Sequence, residues 1–543
     1  MTDLQKKLDH GGESLQNNLD EVLSMSITLQ PQPGTLPPQL GEFQPQPGIA
    51  LDRKPSTLKD EVLAANLGDK RLNSRLVKIL EELGANPNLS IPAATDGRAE
   101  MEGAYRFFDN DKVTPQKILE SHIAATRERI SQCGLVVLVQ DTSEMDLTRP
   151  HQQVVGAGPM DSNVRFGAFI HPLMAFDSVG IPLGTVWQKT WTRESIDTTK
   201  TTAEKAKERK ETPIEDKESV RWIEGLRAAR EVATACPNTT CVCVSDSESD
   251  IYELFSEPRS VQLPDGTSTP EVQMIVRGCQ TRSTETGNWL KDVRATACLE
   301  FKSVHVSFRD AKVKVTKNKR KQSRDTRTAE VEVRAATVKL LPPDRFDRQL
   351  PPLTVNVVLV EEQNPPEDCE PIQWMLVTTL PIKTLEQVQQ VVKYYCLRWQ
   401  IEIYFRTLKS GCRIEERLFE TMPRTLNSLA VYSIIAWRVM YLCRLGRECP
   451  DLSCEVVFTG SEWKSVYSVV KRQPLPETPP SLNEMIRMIA TLGGFVDRPK
   501  NDPGPQTLWI GLQRLHCFSL AWDTFGPEDL SHQRTADGSG ILV

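Results

Sequence analysis

Two short apolar runs, each followed directly by an aspartate, constrain this chain more than any other feature. Leu135–Gln140 (LVVLVQ) ends at Asp141, and Thr240–Ser245 (TCVCVS) ends at Asp246. Continuous apolar runs of this length are typical of strands that are buried on both faces of a sheet. A carboxylate just beyond such a strand is held at the sheet edge, and two neighbouring carboxylates favour a divalent cation between them. Each Asp taken alone is also consistent with an ordinary turn or cap residue.

The pattern around these runs alternates between strand and helix, which predicts an α/β fold. The region 59–130 has helical spacing, with Asp69 and Thr114 as predicted helix caps. One helix is predicted over residues 214–235 and a longer one over 385–410. The remaining predicted strands are Ala168–Phe176, Pro182–Gln188, Val272–Val276, Val304–Phe308, Ala329–Val333, Thr354–Val360 and Trp374–Thr379.

The composition argues against several classes of protein. The 543 residues are too many for one hydrophobic core, so two to four domains are expected. No uncharged apolar run reaches about 18 residues, so no membrane partner is expected. The 13 cysteines include no CxxC pair, which favours a reducing cytoplasm over a disulfide framework or structural zinc. The net charge of −6 argues weakly against nucleic acid, but acidic residues elsewhere can hide a local basic face.

The predicted helix 385–410 carries a polar strip with a single carboxylate. Its members are spaced 3, 4, 4 and 3 residues apart: Tyr395, Arg398, Glu402, Arg406 and Lys409. At about 100° per residue, this spacing places them within a stripe of roughly 80°. A solvated helix face with i,i+4 ion pairs has the same pattern. A cation-rich strip also suits a phosphodiester backbone, with Glu402 completing a metal site.

The motif Tyr395-x2-Arg398-x3-Glu402-x6-Lys409 resembles the Tyr–Arg–Glu–Lys signature of bacterial insertion-sequence DDE transposases. That family includes the transposase of the composite transposon that carries kanamycin resistance. The resemblance extends from about residue 65 to residue 515. Its motifs occur in the same order: LGDKRLNSRLVK, EGAYRFFDN, QDTSEMDL, EDKESVRW, VSDSESDIY, EEQNPPE, PIQWMLVTT, YYCLRWQIEIYFRTLKSG and LGGF.

The resemblance implies an α/β fold with a ribonuclease-H-like catalytic core, a β-strand insertion, and flanking helical N- and C-terminal domains. It also implies that Asp141, Asp246 and Glu402 are the DDE triad, which is catalytic and binds metal. The cofactor implied is Mg²⁺, two ions per active site, with Mn²⁺ as a substitute.

The resemblance further implies a set of DNA-contacting side chains. In this family the signature Tyr395, Arg398 and Lys409 contact backbone phosphates near the cleavage site. Trp374 matches a Trp that stacks against a base flipped out of the transposon end, although a Trp in a strand is also an ordinary core residue. Trp399 matches a second Trp near the distorted end.

Other basic residues extend the predicted DNA interface. Arg277, at the end of the strand MIV, matches a DNA-contacting Arg, and Arg406 belongs to the polar strip. Arg71 and Arg75 are predicted contacts of the helical N-terminal region with the terminal inverted repeat. The basic run Lys312–Arg327 resembles a basic hairpin of the family, and it is also consistent with an ordinary solvated hairpin.

The domain organisation follows from composition together with the resemblance. Residues 1–58, which contain QPQPG twice in a Pro/Gln-rich stretch, are predicted to be a disordered extension. The remaining predicted segments are 59–130, a helical domain that binds transposon ends; 131–255, the first part of the catalytic domain; 256–385, a β-rich insertion; 386–445, the second catalytic part with the signature helix; and 446–543, a C-terminal dimerisation domain.

The implied function is cut-and-paste transposition. The protein is expected to bind inverted repeats of double-stranded DNA, to cleave transposon ends by metal-dependent phosphoryl transfer through a hairpin, and to join the 3′-hydroxyl ends to target DNA. A homodimer is expected to pair two ends, in a bacterial cytoplasm and at the nucleoid. The alternative is a catalytically silent or domesticated DNA-binding regulator, which the intact triad disfavours. The chain departs from the family in its leader, in the segment 446–485, and in Ile403 after Glu402.

Overall fold

The computed structural model describes residues 57–162, 164–195, 200–264, 266–306, 327–345, 348–366, 371–498 and 501–527. The predicted leader, except for its last two residues, and nearly all of the basic run Lys312–Arg327 lie outside these residues.

The described residues form a mixed α/β structure. Its α-helices are α1 Lys70–Ala85, α2 Ile91–Ala94, α3 Arg98–Phe108, α4 Pro115–Ser131, α5 Thr202–Glu211, α6 Val220–Ala235, α7 Tyr252–Ser256, α8 Trp289–Arg294, α9 Leu385–Cys396, α10 Gln400–Arg406, α11 Met422–Glu448, α12 Gly460–Lys471, α13 Leu482–Leu492 and α14 Pro505–Phe525. Its strands are β1 Leu135–Gln140, β2 Ser143–Asp146, β3 Gly158–Pro159, β4 Phe166–Asp177, β5 Pro182–Trp191, β6 Thr240–Ser245, β7 Gln273–Gly278, β8 Ser283–Thr284, β9 Gly287–Asn288, β10 Glu300–Val306, β11 Arg327–Leu340, β12 Leu353–Glu362 and β13 Gln373–Thr378.

All of these strands belong to one large mixed sheet. Its main path runs β2-β4-β1-β6-β7-β13-β12-β11-β8-β9. The pairs β1–β6 and β6–β7 are parallel, whereas β4 is antiparallel to both β1 and β5. The strands of the predicted insertion 256–385 therefore continue the sheet that holds β1 and β6, because β7 pairs with β6 and β13 pairs with β7.

The two faces of the sheet pack against different helices. Because side chains alternate along a strand, Val137 and Val139 of β1 enter one core, while Val136 and Leu138 enter the other. The first core is filled by α11 and the N-terminal helices, and the second by α6. This burial on both faces explains why the sequences of β1 and β6 are almost continuously apolar.

Helix α11 is the central support of the first core. It is long and apolar enough to cross a membrane by length and composition alone, but almost all of its most apolar stretch is buried inside the protein. Its Trp437 indole donates a hydrogen bond of 2.9 Å to the Pro182 carbonyl at the start of β5. We therefore describe α11 as the core helix of a folded domain.

Most predicted elements are present with small shifts in their ends. β1 and β6 have the predicted bounds, and the side chains of Asp69 and Thr114 cap α1 and α4 by accepting backbone N–H groups. The predicted strand Val304–Phe308 instead begins at Glu300 and is described only to Val306. The predicted helix 214–235 consists of a 3₁₀ turn followed by α6.

The predicted long helix over 385–410 is present, but it is not a regular α-helix along its whole length. After α9 the chain forms a 3₁₀ turn at Leu397–Trp399, continues as α10, and ends in a π-helical turn at Thr407–Gly411. A 3₁₀ turn advances 120° per residue, compared with about 100° in an α-helix, so it rotates the side chains that follow. Neither irregular turn is visible in the periodicity of apolar residues.

Candidate active site

The two strand-end aspartates lie at the same edge of the sheet. The parallel register of β1 and β6 pairs Val139 with Val244, so Asp141 and Asp246 each follow directly beyond neighbouring strands. The Thr142 backbone N–H donates to Asp141 Oδ1 at 2.7 Å, and the Glu248 backbone N–H donates to Asp246 Oδ1 at 2.9 Å. Each carboxylate is therefore oriented by its own turn.

Arg398 forms hydrogen bonds with two of the predicted carboxylates, Asp141 and Glu402. Its guanidinium donates from Nη1 to Asp141 Oδ2 at 3.0 Å and from Nη2 to Glu402 Oε1 at 3.1 Å. Arg398 is only 5% exposed and stacks over the Trp399 ring at 4.4 Å. Arg398 thus links carboxylates that lie more than 250 positions apart in the sequence.

The charges at this site are only partly balanced. Burial, and then the charge of Asp246, raise the pKa of Asp141 to about 7, although Arg398 acts in the opposite direction. Burial also raises the pKa of Glu402, whose side chain is 42% exposed. Three carboxylates and one guanidinium leave an excess of negative charge in a partly buried site. Such a site favours a further cation.

The donor set is suitable for a hard divalent ion, because Mg²⁺ prefers oxygen ligands such as carboxylates. In the described part of the chain, however, no three acidic, His or Cys side chains stand close enough together to hold a metal ion as they are placed here. Arg398 lies between two of the carboxylates instead. The chemistry of the residues therefore fits a divalent cation, while their present arrangement is that of an ion-paired cluster.

The predicted polar strip does not face solvent along its whole length. Tyr395 is 1% exposed and Arg398 is 5% exposed, and they border the 3₁₀ turn described above. Lys409 lies in the π-helical turn, and its ammonium is 3.4 Å from Glu415. Arg406 is partly exposed and lowers the pKa of Glu402 through its charge. The first half of the strip is therefore not a solvated helix face. Its side chains are buried, and Arg398 pairs with Asp141 at the sheet edge.

Trp374 and Tyr395 form an aromatic pair beside the carboxylates. Their ring centroids lie 5.8 Å apart in an edge-to-face arrangement. Trp374 is half-buried at the second position of β13, while Tyr395 is buried beneath it. The structure places Tyr395 as a support for the Trp374 ring, and contacts of either residue with DNA remain predictions.

Two further predicted contacts lie near this pair. Trp399 is partly buried, and its indole Nε1 has no hydrogen-bond partner among the described residues. Arg277 is partly exposed at the end of β7, and its charge contributes to the pKa of Tyr395. A cation and a half-buried aromatic ring next to the carboxylates are suited to a phosphate and a base.

The two predicted N-terminal contacts, Arg71 and Arg75, lie far from this cluster in sequence, on α1. Arg71 is exposed, whereas Arg75 is ion-paired with Glu100 and packs against Gly103. Lys78 shares the same Glu100 at 2.8 Å. Arg71 is therefore open to a partner in this structure, and Arg75 would have to leave Glu100 to bind one.

A buried ion pair beside Asp246 was not predicted. The Asp250 carboxylate accepts the backbone N–H groups of Cys279 and Gln280, each at 2.7 Å, and also Arg282 Nε at 2.8 Å. These bonds attach the turn that carries Asp246 to the loop after β7. The polar sequence VSDSESD contains the only hint of this role, since six consecutive hydroxyl or acidic residues at the end of a buried strand need partners.

Three family models match separate parts of the chain. The transposase DNA-binding model matches residues 55–113, the transposase DDE domain matches 283–437, and the transposase Tn5 dimerisation domain matches 434–522. Their order agrees with the motif order found in the sequence. The chain belongs to the Tn5 family of DDE transposases.

The matches relate to the site in different ways. The DDE match in this Tn5-family chain contains Glu402, Arg398 and Trp374, but it begins after Asp141 and Asp246. The DNA-binding match contains Arg71 and Arg75, and the dimerisation match contains the late LGGF motif. The assignment of the two aspartates therefore rests on the strand ends and on their closeness to Glu402.

The solved structures similar to this chain include the cryo-EM structure of a piggyBac transposase synaptic complex with hairpin DNA. The two chains are 11% identical, with a TM-score of 0.33, over 70% of this chain and 67% of the other. A likeness this remote supports no argument about activity.

Proposed function

We propose that this protein is a cut-and-paste DNA transposase. It binds the inverted repeats at the ends of its element, cleaves them by metal-dependent phosphoryl transfer, and joins the 3′-hydroxyl ends to target DNA. The observation that carries the proposal is that Arg398 links Asp141 to Glu402, next to the charge of Asp246, in a chain with a DDE domain.

The arrangement of the sheet around Asp141 supports a ribonuclease-H-like core. A central strand, β1, has an antiparallel pair, β4 and β5, on one side and two parallel strands, β6 and β7, on the other. That is the strand arrangement of a ribonuclease-H-like sheet. In this interpretation β8 to β13 are the insertion, and α9 and α10 return the chain to the catalytic edge.

Asp141, Asp246 and Glu402 are the residues that would hold divalent cations, Mg²⁺ or its substitute Mn²⁺, with two ions per site as in the family. When bound, such ions stabilise the charge that develops on the phosphoryl group and lower the pKa of the attacking hydroxyl. The carboxylates themselves fix the ions at the sheet edge, because their turns hold them through backbone N–H groups.

The neighbouring side chains would bind and orient the DNA. Arg398 neutralises two carboxylates in the protein alone, and a cation that takes over this role would leave its guanidinium available to a phosphate. Arg406, Lys409 and Arg277 add positive charge along the same edge. Trp374 offers a half-buried ring on which an unpaired base can stack, as expected if cleavage passes through a hairpin.

The homodimer that pairs two ends is part of the same proposal, and the match to a dimerisation domain supports it. A cytoplasmic location is proposed because transposition needs access to chromosomal DNA. The twelve cysteines within the described ranges are all free thiols, as a reducing compartment allows.

The test is cleavage of labelled duplex DNA that carries the ends of the genomic element encoding this chain. We expect nicks, hairpins and joined products in Mg²⁺ with the wild-type protein. Glu402→Ala should abolish all three while leaving end binding largely intact, since binding rests on phosphate contacts elsewhere.

Two results would contradict the proposal. Tight and specific end binding by the wild-type protein without cleavage in either Mg²⁺ or Mn²⁺ would favour a DNA-binding regulator. Loss of folding together with binding in Glu402→Ala would make Glu402 a structural partner of Arg398, which Glu402→Gln would check independently.

A further inference from the structure

A buried histidine lies behind the carboxylate cluster without touching any of its carboxylates. His171 is in the middle of β4 and has no exposed surface. Its ring packs edge-on against Trp187 at 5.9 Å and Trp222 at 4.7 Å. A polar ring in this position requires a partner for each nitrogen.

Both partners are side chains that flank Asp141. His171 Nδ1 lies 2.9 Å from Thr142 Oγ1, and His171 Nε2 lies 3.1 Å from Gln140 Oε1. The imidazole therefore spans the residue before Asp141 and the residue after it. We call the hydrogen-bonded set of Gln140, His171 and Thr142 the bracket around Asp141. Gln140 is 1% exposed, so the bracket is shielded from water.

The surrounding bonds fix the direction of each hydrogen bond. Arg221 Nε donates to Thr142 Oγ1 at 2.8 Å, which uses one lone pair of the hydroxyl and leaves its hydrogen able to donate to His171 Nδ1. The Gln140 amide nitrogen donates to the Trp222 carbonyl at 3.3 Å, which leaves Gln140 Oε1 to accept from His171 Nε2–H. A neutral ring with its proton on Nε2 satisfies every one of these bonds.

The electrostatic surroundings agree with a neutral ring. Burial, and then the charges of Arg221 and Lys189, hold the pKa of His171 well below its ordinary value. Protonation would also remove the Nδ1 lone pair that accepts from the Thr142 hydroxyl in the neutral ring. The ring is thus a fixed structural element rather than a proton carrier.

Helix α6 leaves space for this bracket. A Cβ added to Gly225 would lie 2.1 Å from Gln140 Oε1, the atom that accepts from His171. The helix approaches Gln140 this closely only because it has glycine there. The same helix supplies Arg221, which also bonds Glu248 Oε2 at 2.8 Å, two residues beyond Asp246.

We propose that His171 is a positioning residue for the reaction, which fixes Thr142 and through its backbone N–H the carboxylate of Asp141. The proposal rests on the function proposed above. The Thr142 N–H is 2.7 Å from Asp141 Oδ1, and it orients the oxygen that Arg398 does not contact. Rotation of Thr142 would therefore release one side of the Asp141 carboxylate.

The test compares His171→Gln with His122→Gln in the full-length protein. His122 is the matched control, since it is also fully buried, with Nδ1 2.6 Å from Glu61 and Nε2 accepting the Thr185 N–H at 3.1 Å. It lies on α4 and contacts neither flank of Asp141. Both variants are measured for melting temperature, end binding, Mn²⁺ affinity of the DNA complex by electron paramagnetic resonance, and single-turnover cleavage at saturating DNA.

We expect His171→Gln to lower both cleavage and Mn²⁺ affinity by about 10- to 100-fold, the usual effect of losing a partner behind a metal ligand. End binding should stay within about twofold, since no phosphate contact is lost. His122→Gln should lose melting temperature to a similar degree and keep its cleavage rate. Equal loss of cleavage in both variants would overturn the proposal, because it would indicate general loosening of the fold.

Variants of Thr142 keep the proposal testable if His171→Gln fails to fold. Thr142→Val removes the hydroxyl and should reproduce the loss, whereas Thr142→Ser keeps the hydroxyl and should restore most of the rate. Wild-type cleavage by Thr142→Val would overturn the proposal. Wild-type cleavage by Asp141→Asn would instead overturn the proposed function, so the two failures are distinguishable.

Discussion

Two carboxylate clusters in this protein, one buried and one partly buried, differ in how far nearby cations balance their negative charge. At the first, the Glu61 carboxylate receives Arg129 on both oxygens, at 2.9 and 3.1 Å, and His122 at 2.6 Å. At the second, the guanidinium of Arg398 pairs with Asp141 and Glu402, while the charge of Asp246 adds to that of Asp141. Both clusters lie beside β-strands of the same sheet, so burial alone does not distinguish them.

The pKa values of Glu61 and Asp141 are shifted in opposite directions. Burial by itself would raise the pKa of Glu61, but the hydrogen bonds and charges of His122 and Arg129 outweigh it and hold that pKa at about 2. At Asp141, burial and the charge of Asp246 outweigh Arg398 and raise the pKa to about 7. A buried carboxylate whose charge is balanced by its neighbours stabilises the fold. A carboxylate whose pKa is raised because its charge is not balanced is typical of a functional site that binds a ligand.

The largest expected effect is that Asp141→Asn and Glu61→Gln have opposite consequences: the first variant loses cleavage and the second loses stability. Asp141→Asn should lower cleavage by about a thousandfold or more, because metal-bound charge stabilisation is worth several kcal/mol, without lowering stability. Glu61→Gln should cost about 3–5 kcal/mol of stability, because it removes the buried charge that pairs with the partly buried Arg129, and should keep its cleavage rate in the folded fraction.

Single-turnover cleavage and urea unfolding of both variants measure this exchange. A Glu61→Gln protein that is stable but inactive would break the comparison. So would an Asp141→Asn protein that unfolds as easily as Glu61→Gln.

A smaller expected effect is that the contributions of Glu61 and Asp141 to stability change with pH in opposite directions. Because the pKa of Glu61 is lowered in the folded protein, its contribution to stability is complete above about pH 4.5 and is lost as the pH falls toward 2. Because the pKa of Asp141 is raised, its cost is absent below its ordinary value of 3.8 and grows as the pH rises through about 7.

Asp141→Asn should therefore gain stability over the wild type as the pH rises, by up to about 4 kcal/mol at pH 8. Urea unfolding at pH 4.5 and pH 8 gives the two differences. A gain that is equal at both pH values would mean that the Asp141 carboxyl is not strained by its surroundings.

The smallest expected effect concerns Trp374, at the border between the catalytic cluster and the rest of the sheet. As a half-buried ring packed on Tyr395, it should lose little stability when replaced by Ala. It should lose about 1–3 kcal/mol of interaction with an unpaired base. Hairpin formation should fall more than initial nicking, as measured on labelled end DNA. A stability loss of about 3–5 kcal/mol with evenly reduced products would assign Trp374 to the core instead.

The sequence predicts the catalytic cluster better than it predicts the supports of that cluster. β1 and β6 have clear ends because burial on both faces requires continuous apolar residues, and the Asp after each run is visible at once. The resemblance to a signature motif supplied Glu402. The 3₁₀ turn at Arg398 could not be predicted, because two strong ion pairs and an aromatic stack outweigh local periodicity there.

The bracket around Asp141 was equally invisible in the sequence. His171 lies 31 positions from Gln140 and 29 from Thr142, in a strand whose other residues are apolar except for Asp177 at its end. Its partners are decided by the register of β4 on β1, which is a tertiary property. A histidine inside an apolar run is a signal only that some buried partner exists.

The most direct test of the central claim is metal rescue of Asp246→Cys. If Asp141, Asp246 and Glu402 hold the catalytic cation, a thiolate at one of these positions should disfavour Mg²⁺ and accept the softer Mn²⁺. The account predicts that Asp246→Cys does not cleave transposon-end DNA in Mg²⁺ and regains cleavage in Mn²⁺, whereas the wild-type protein cleaves in both. Full cleavage by Asp246→Cys in Mg²⁺ would contradict the account, because Asp246 would then not be a ligand of the catalytic metal.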